Sequence, residues 1–74
     1  MIAINVAMEQ DKIIELLNEQ EIEGITFRYK EKKGIKLIFV IEGTTDFELA
    51  AKQAKDIIKA QIWGNILFFQ ATAI

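Results

Sequence analysis

Carboxylates are the side chains of this sequence best placed to do chemistry, because four of them follow two predicted strands. Glu9 and Asp11 come after the first strand, and Glu42 and Asp46 come after the third. We expect these two strands to run parallel and adjacent, which would gather the four carboxylates beside two helix N-termini. Oxygen ligands of this kind suit a hard cation such as Mg²⁺ or Ca²⁺. The sequence favours the alternative, in which they cap the free N–H groups of the helices.

A basic segment is the second candidate site, since it holds five of the nine basic residues. Its members are Arg28, Lys30, Lys32, Lys33 and Lys36. A hairpin of this charge could lie against nucleic-acid phosphates, with an affinity that falls as salt rises. However, alternation turns Phe27 and Tyr29 towards the core, so they are not free to stack on bases, and Glu31 weakens the field. The sequence favours the alternative, in which lysines protect a sheet edge from pairing.

The composition removes most of the usual catalytic and cofactor chemistry. The 74 residues contain no His, Cys, Ser or Pro. Without His and Cys the chain lacks the ordinary ligands of zinc, iron–sulfur clusters and haem. Without Ser, Cys and His it also lacks the common nucleophiles and the base that titrates near neutral pH. We therefore predict no catalytic residue, no metal and no cofactor, and we expect the protein not to be an enzyme.

Length and composition predict a single domain over residues 1–74. A domain near this size buries only about 60% of its unfolded surface. Because 51% of the residues are hydrophobic, we expect some apolar surface to meet a partner. The longest apolar runs, such as 37–41, are far shorter than the ~20 residues of a membrane helix, and the first residues lack the pattern of a leader. We expect a cytoplasmic protein with no membrane partner.

Hydrophobic spacing predicts four strands and two helices. Period-2 or continuous apolar patterns predict strands over 2–8, 25–30, 35–41 and 66–74. A 3.6-residue period predicts helices over 11–20 and from a capping box at Thr45-Asp46-Phe47-Glu48 to Gly64. This β-α-β-β-α-β order predicts an α+β, ferredoxin-like sandwich. Its sheet would be four-stranded and antiparallel, in the order 4-1-3-2, with both helices on one face.

The order of elements resembles that of several ferredoxin-like families, but the motifs that separate those families are absent. Heavy-metal-associated domains carry a Cys pair after the first strand, where this chain has Met8-Glu9-Gln10-Asp11. Regulatory domains of the ACT type are nearest in topology and in their habit of pairing. They usually have a Gly or small polar turn at that position, which is missing here. The resemblance is therefore one of topology, and topology does not fix function.

Self-association is the functional prediction that the pattern favours. The predicted face away from the helices has an apolar centre, and the last strand has no charged residue. We assign self-association to Asn5, Ile38, Val40 and Phe69, with Phe68 as the exposed ring if the register is shifted by one. Trp63 could anchor a partner, although a place at the base of the core is favoured. We predict a homodimer or higher oligomer that acts as a binding or regulatory module; the alternative is nucleic-acid or ribosome association through the basic segment.

Overall fold

The structure, a computed structural model, describes residues 1–74 and contains five strands and two helices. The strands are β1 (Ile2–Asn5), β2 (Gln20–Ile22), β3 (Ile25–Lys33), β4 (Lys36–Glu42) and β5 (Gln70–Ala73), and the helices are α1 (Gln10–Leu17) and α2 (Phe47–Lys59). One sheet contains all the strands in the order β2-β3-β4-β1-β5. Every neighbouring pair is antiparallel. The predicted α+β class is confirmed.

The predicted four-stranded sheet was wrong in strand number, because β2 adds a fifth strand outside β3. Residues 20–22 follow α1 and pair with Ile25–Phe27 through a turn at Glu23-Gly24, where both residues have positive φ. Three residues are too few to display a period of two, so the pattern merged them with the end of the helix. The other four strands do lie in the predicted sequence of neighbours, as β5-β1-β4-β3.

The four carboxylates that were predicted to cluster lie apart, because of the direction of β4. We expected the first and third strands to run parallel, but β1 and β4 are antiparallel, with Ile2 opposite Phe39. The C-terminal ends of the two strands therefore lie at opposite ends of the sheet. Glu9 and Asp11 are at one end, whereas Glu42 and Asp46 are at the other. No group of three or more His, Cys, Asp or Glu side chains is placed to hold a metal ion.

The boundaries of α2 differ from those predicted. The helix ends at Lys59 and β5 begins at Gln70, so residues 60–69 form a connecting segment of turns. The N-cap of α2 is Asp46 rather than Thr45, and its carboxylate accepts a hydrogen bond from the N–H of Leu49 at 3.1 Å. The connecting segment contributes apolar side chains that the helical pattern had assigned to α2 or to the last strand.

A single core lies between the helices and one face of the sheet. It is built from fifteen buried hydrophobic residues: Ile2, Ile4, Val6, Ile13, Leu17, Ile25, Phe27, Leu37, Phe39, Ile41, Ala50, Ala51, Ala54, Ile58 and Phe69. The three alanines allow α2 to approach the sheet closely. Tyr29 meets Phe39 edge to face, with ring centroids 5.7 Å apart. Neither α1 nor α2 has the length and apolar character that a membrane crossing requires.

Candidate functional site

The face of the sheet away from the helices holds three of the four predicted self-association residues. By strand alternation Asn5, Ile38 and Val40 lie on this open face. Phe69 does not, because it is only 9% exposed and belongs to the core. Gln70 and Thr72 are the residues that β5 contributes to the open face, opposite Asn5 and Ala3.

The open face exposes little apolar surface. Ile38 is only 8% exposed and Ala3 is fully buried within the single chain. A bulge between Tyr29 and Glu31 disturbs the alternation of β3, and the Lys30 amino group lies 3.8 Å from the sulfur of Met1, across the sheet. Long side chains therefore cover the centre of this face, which leaves half-buried Val40 as its main apolar contact.

Two of the five residues proposed to contact nucleic acid are paired with carboxylates. Arg28 Nε donates to Glu42 at 2.7 Å, and a terminal guanidinium nitrogen lies 3.7 Å from Glu19. The hydrogen bond to Glu42 is the main reason why the pKa of Arg28 is raised above its usual value. Lys33 pairs with Glu31 at 3.4 Å.

The other three lysines form no ion pair, and most of them lie towards the tip of the β3–β4 hairpin. They are Lys30, Lys32 and Lys36. Beyond Phe27 the outer side of β3 has no strand beside it, because β2 pairs only with residues 25–27. The lysine-rich part of β3 is therefore a free edge, as the edge-protection interpretation requires.

The opposite edge of the sheet is β5, which has no charged residue. The N–H of Ile74 donates to the carbonyl oxygen of Met1 at 3.0 Å. Bonds of an antiparallel ladder alternate in direction, so the N–H and C=O groups of Ala71 and Ala73 point away from β1. No backbone bond from a turn or loop reaches these two residues. The edge is thus open to another strand.

Helix α2 forms one wall of a groove along this edge. Glu48, Lys52 and Lys55 line the groove on the helix, and residues 71–73 line it on the strand. The helix runs antiparallel to β5, so Glu48 lies towards the Ala73 end of the groove and Lys55 towards the Ala71 end. A negative charge and a positive charge therefore flank the same free edge.

The most exposed apolar side chains of the protein gather at one end of the sheet, a surface that we call the apolar end. Phe68 is 96% exposed, Ile62 90%, Ile66 84%, Met8 68% and Ile35 57%. Phe68 lines two adjoining depressions, one with Met8 and Ile66 and the other with Ile35. At about 100 Å² for each side chain, the four that line these depressions expose about 400 Å², which lies within the range of the largest apolar patch on a typical monomer, a patch that is often functional.

Backbone contacts of glycines hold the apolar end in place. A side chain at Gly64 would overlap the carbonyl oxygen of Ile58, so the connecting segment can fold back on α2 only with glycine there. The Gln10 amide donates to the carbonyl oxygens of Val6 at 2.9 Å and Gly34 at 3.1 Å. It thereby ties the hairpin turn that carries Ile35 to the end of β1.

Trp63 lies beneath the apolar end and is half-buried. It packs against the core, as the favoured interpretation predicted, and it also lines a depression with Met8 and Ile66. The Lys12 amino group lies 5.7 Å from the ring centroid and 2.8 Å from Glu9. The contact with Trp63 joins α1 to the connecting segment, whereas the pair with Glu9 lies within α1 and its N-cap.

Sequence reasoning missed the apolar end because its members are far apart in the chain. Each lies in a turn or loop, whereas the hydrophobic pattern had placed it in a predicted strand or in the second helix. The sequence signal that could have found this surface is the presence of large apolar residues beside turn glycines, as in Gly34-Ile35 and Gly64-Asn65-Ile66.

The chain was also compared with known proteins. No family model, curated protein or solved structure matches it.

Proposed function

We propose that this chain is a small binding or regulatory module that forms a homodimer by pairing the β5 edges of two copies. The observation that carries the proposal is the uncharged, unpaired edge of β5 beside α2. Ala71 and Ala73 offer four outward backbone groups, which a second β5 in the antiparallel direction would satisfy. The lysine-rich edge of β3 and the three-residue β2 offer no comparable edge.

The charges at the two ends of the groove, Glu48 and Lys55, support a two-fold arrangement, whereas Lys52 between them contributes no pair. A two-fold axis through the middle of paired β5 strands reverses the direction of α2 between copies. Glu48 of one copy then lies near Lys55 of the other, and the pair occurs twice. The open face is the weaker choice for this interface, because Ile38 and Phe69 are already buried within one chain.

We further propose that the fold is ferredoxin-like, with β2 as an addition. Omitting β2, the chain reads β1-α1-β3-β4-α2-β5, and the sheet reads β5-β1-β4-β3. This is the order 4-1-3-2 of that fold, and related domains often pair through their sheets. A binding role is favoured over catalysis by the absence of Ser, Cys and His. The cytoplasmic location stays a prediction.

Light scattering after size-exclusion chromatography, over a series of concentrations, tests the dimer. Only four residues pair, so we expect a dissociation constant of about 1–100 μM. Ala71→Pro should give a monomer, because it removes an outward N–H while the bonds of β5 to β1 remain. A monomer at every concentration up to the millimolar range would contradict the proposal.

A charge exchange supplies the matched control. Glu48→Lys and Lys55→Glu should each weaken the dimer, since each places like charges across the two-fold axis. The double variant has the net charge of the original chain and should restore dimerisation. If the two single variants dimerise as well as the original chain does, α2 does not flank the interface and the β5 pairing is wrong.

A further inference from the structure

The apolar end lies beside unpaired lysines of the hairpin tip. Ile35 is exposed in the turn between Lys33 and Lys36, and Lys32 is one pair further along the hairpin. Lys32 and Lys36 form no ion pair within the chain. Protruding apolar tips and a neighbouring group of lysines therefore share one end of the molecule.

The other end of the molecule is acidic. Antiparallel β1 and β4 place Glu42, Asp46 and Glu48 there, together with the β2–β3 turn that contains Glu23. The apolar end also holds Glu9 and Asp11, but Glu9 is paired with Lys12 and the hairpin tip adds three lysines, so the excess negative charge of the chain, which is −2 overall, lies at the other end. A large anionic surface would therefore attract the apolar end and repel the opposite one.

We propose that the apolar end docks on an anionic lipid surface. Phe68, Ile62 and Ile66 are at least 84% exposed and would enter the boundary between headgroups and acyl chains. The hairpin lysines would meet the acidic headgroups. This is contact with a membrane surface, which needs no spanning helix. It differs from the sequence-based expectation of no membrane partner, because only folding brings these side chains together.

Charge decides against a second copy as the occupant of this surface. In a symmetric dimer the same surface is used by both copies, so around a two-fold axis near Ile35 the hairpin lysines of one copy would approach those of the other. A lipid surface rich in acidic headgroups instead supplies the opposite charge. The β5 edge proposed for dimerisation is separate from the apolar end, so lipid contact does not depend on the dimer.

Co-sedimentation with lipid vesicles tests the proposal. The chain should sediment with vesicles of phosphatidylcholine that contain about one third phosphatidylglycerol, and much less with phosphatidylcholine alone. Phe68→Asp should lower the partition coefficient at least tenfold. The double change Lys32→Glu and Lys36→Glu should lower it at least twentyfold on the anionic vesicles, at about fivefold for each lysine.

Two control variants make the same kinds of substitution at positions outside the proposed lipid contact. Leu49→Asp changes an exposed apolar residue of α2, and Lys30→Glu changes a hairpin lysine away from the tip. Both should bind the anionic vesicles within about twofold of the original chain. Circular dichroism of each variant verifies that it is folded. The Ala71→Pro variant should still bind the anionic vesicles, so the lipid proposal can be tested separately from the dimer.

Three results would overturn the lipid proposal. The first is no sedimentation with anionic vesicles, or equal binding by Phe68→Asp and the original chain. The second is a dimer that Phe68→Asp dissociates, which would make the apolar end an interface between copies. The third is salt-dependent RNA binding that the lysine double variant loses and Phe68→Asp retains, without vesicle binding, which would assign the lysines to nucleic acid.

Discussion

Two adjacent phenylalanines provide the sharpest test of the structure. Phe68 is 96% exposed, whereas Phe69 is 9% exposed and belongs to the core. Phe69→Ala should cost about 3–5 kcal/mol through lost burial and the cavity that remains. Phe68→Ala should change the free energy of unfolding by less than about 0.5 kcal/mol, as an exposed substitution does. The same chemical change one residue apart should thus give very different results.

The size of this effect is easy to measure in a chain this short. A domain of 74 residues is stable by about 4–11 kcal/mol, so Phe69→Ala should remove about a quarter or more of the total. Each kcal/mol shifts the midpoint of thermal unfolding by about 4–8 °C. Urea unfolding followed by circular dichroism, at one fixed low concentration, gives both free energies. Equal losses for the two variants, or a larger loss for Phe68→Ala, would refute the burial of Phe69 and the exposure of Phe68.

Two further pairs of variants test local structure, each with a control of the same type. Gly43 and Gly34 both have positive φ, but only at Gly43 would a side chain overlap the carbonyl oxygen of Gly24. Gly34→Ala should therefore cost about 1–2 kcal/mol and Gly43→Ala about 2 kcal/mol more; equal costs in urea unfolding would contradict the close approach. Asp46→Ala should cost about 1 kcal/mol through loss of the α2 cap, whereas Thr45→Ala should cost less than half as much in the same assay, and the reverse order would assign the cap to Thr45.

The two proposed surfaces differ in what the fold leaves unsatisfied. At β5 the unsatisfied groups are backbone N–H and C=O groups, which another strand pairs with little dependence on side chains. At the apolar end they are side chains without neighbours, and area and charge decide the partner. For this reason Ala71→Pro and Phe68→Asp should each abolish one association and leave the other.

The nucleic-acid alternative is weakened by particular contacts. Arg28 and Lys33 are already paired with carboxylates, and Phe27 is fully buried, so it cannot stack on a base. What stays available is the charge of Lys32 and Lys36 at the hairpin tip. The sequence showed the five basic residues as one group, but strand geometry assigns them to different sides and different partners.

The sequence by itself determined those helices and strands in which the spacing of apolar residues matches the spacing of buried positions. Ile2 and Ile4 alternate because one face of β1 is covered, and Ala50, Ala54 and Ile58 recur with the helical period because one side of α2 is covered. Such patterns are local, so they predict the α+β class, the two helices, and four of the five strands. Composition likewise determined that no His, Cys or Ser side chain is present to act as a metal ligand or a nucleophile.

Only the tertiary structure decided the extra strand β2 and both candidate surfaces. The antiparallel sheet predicted from the order of elements already makes the first and third strands antiparallel, as they are, so the expectation that Glu9 and Glu42 lie together was wrong. Ile35 and Phe68 are 33 positions apart and become neighbours only when the hairpin and the connecting segment meet. The spacing of apolar residues along the chain indicates which side chains are buried. The make-up of a surface depends on contacts between distant segments, which that spacing does not indicate.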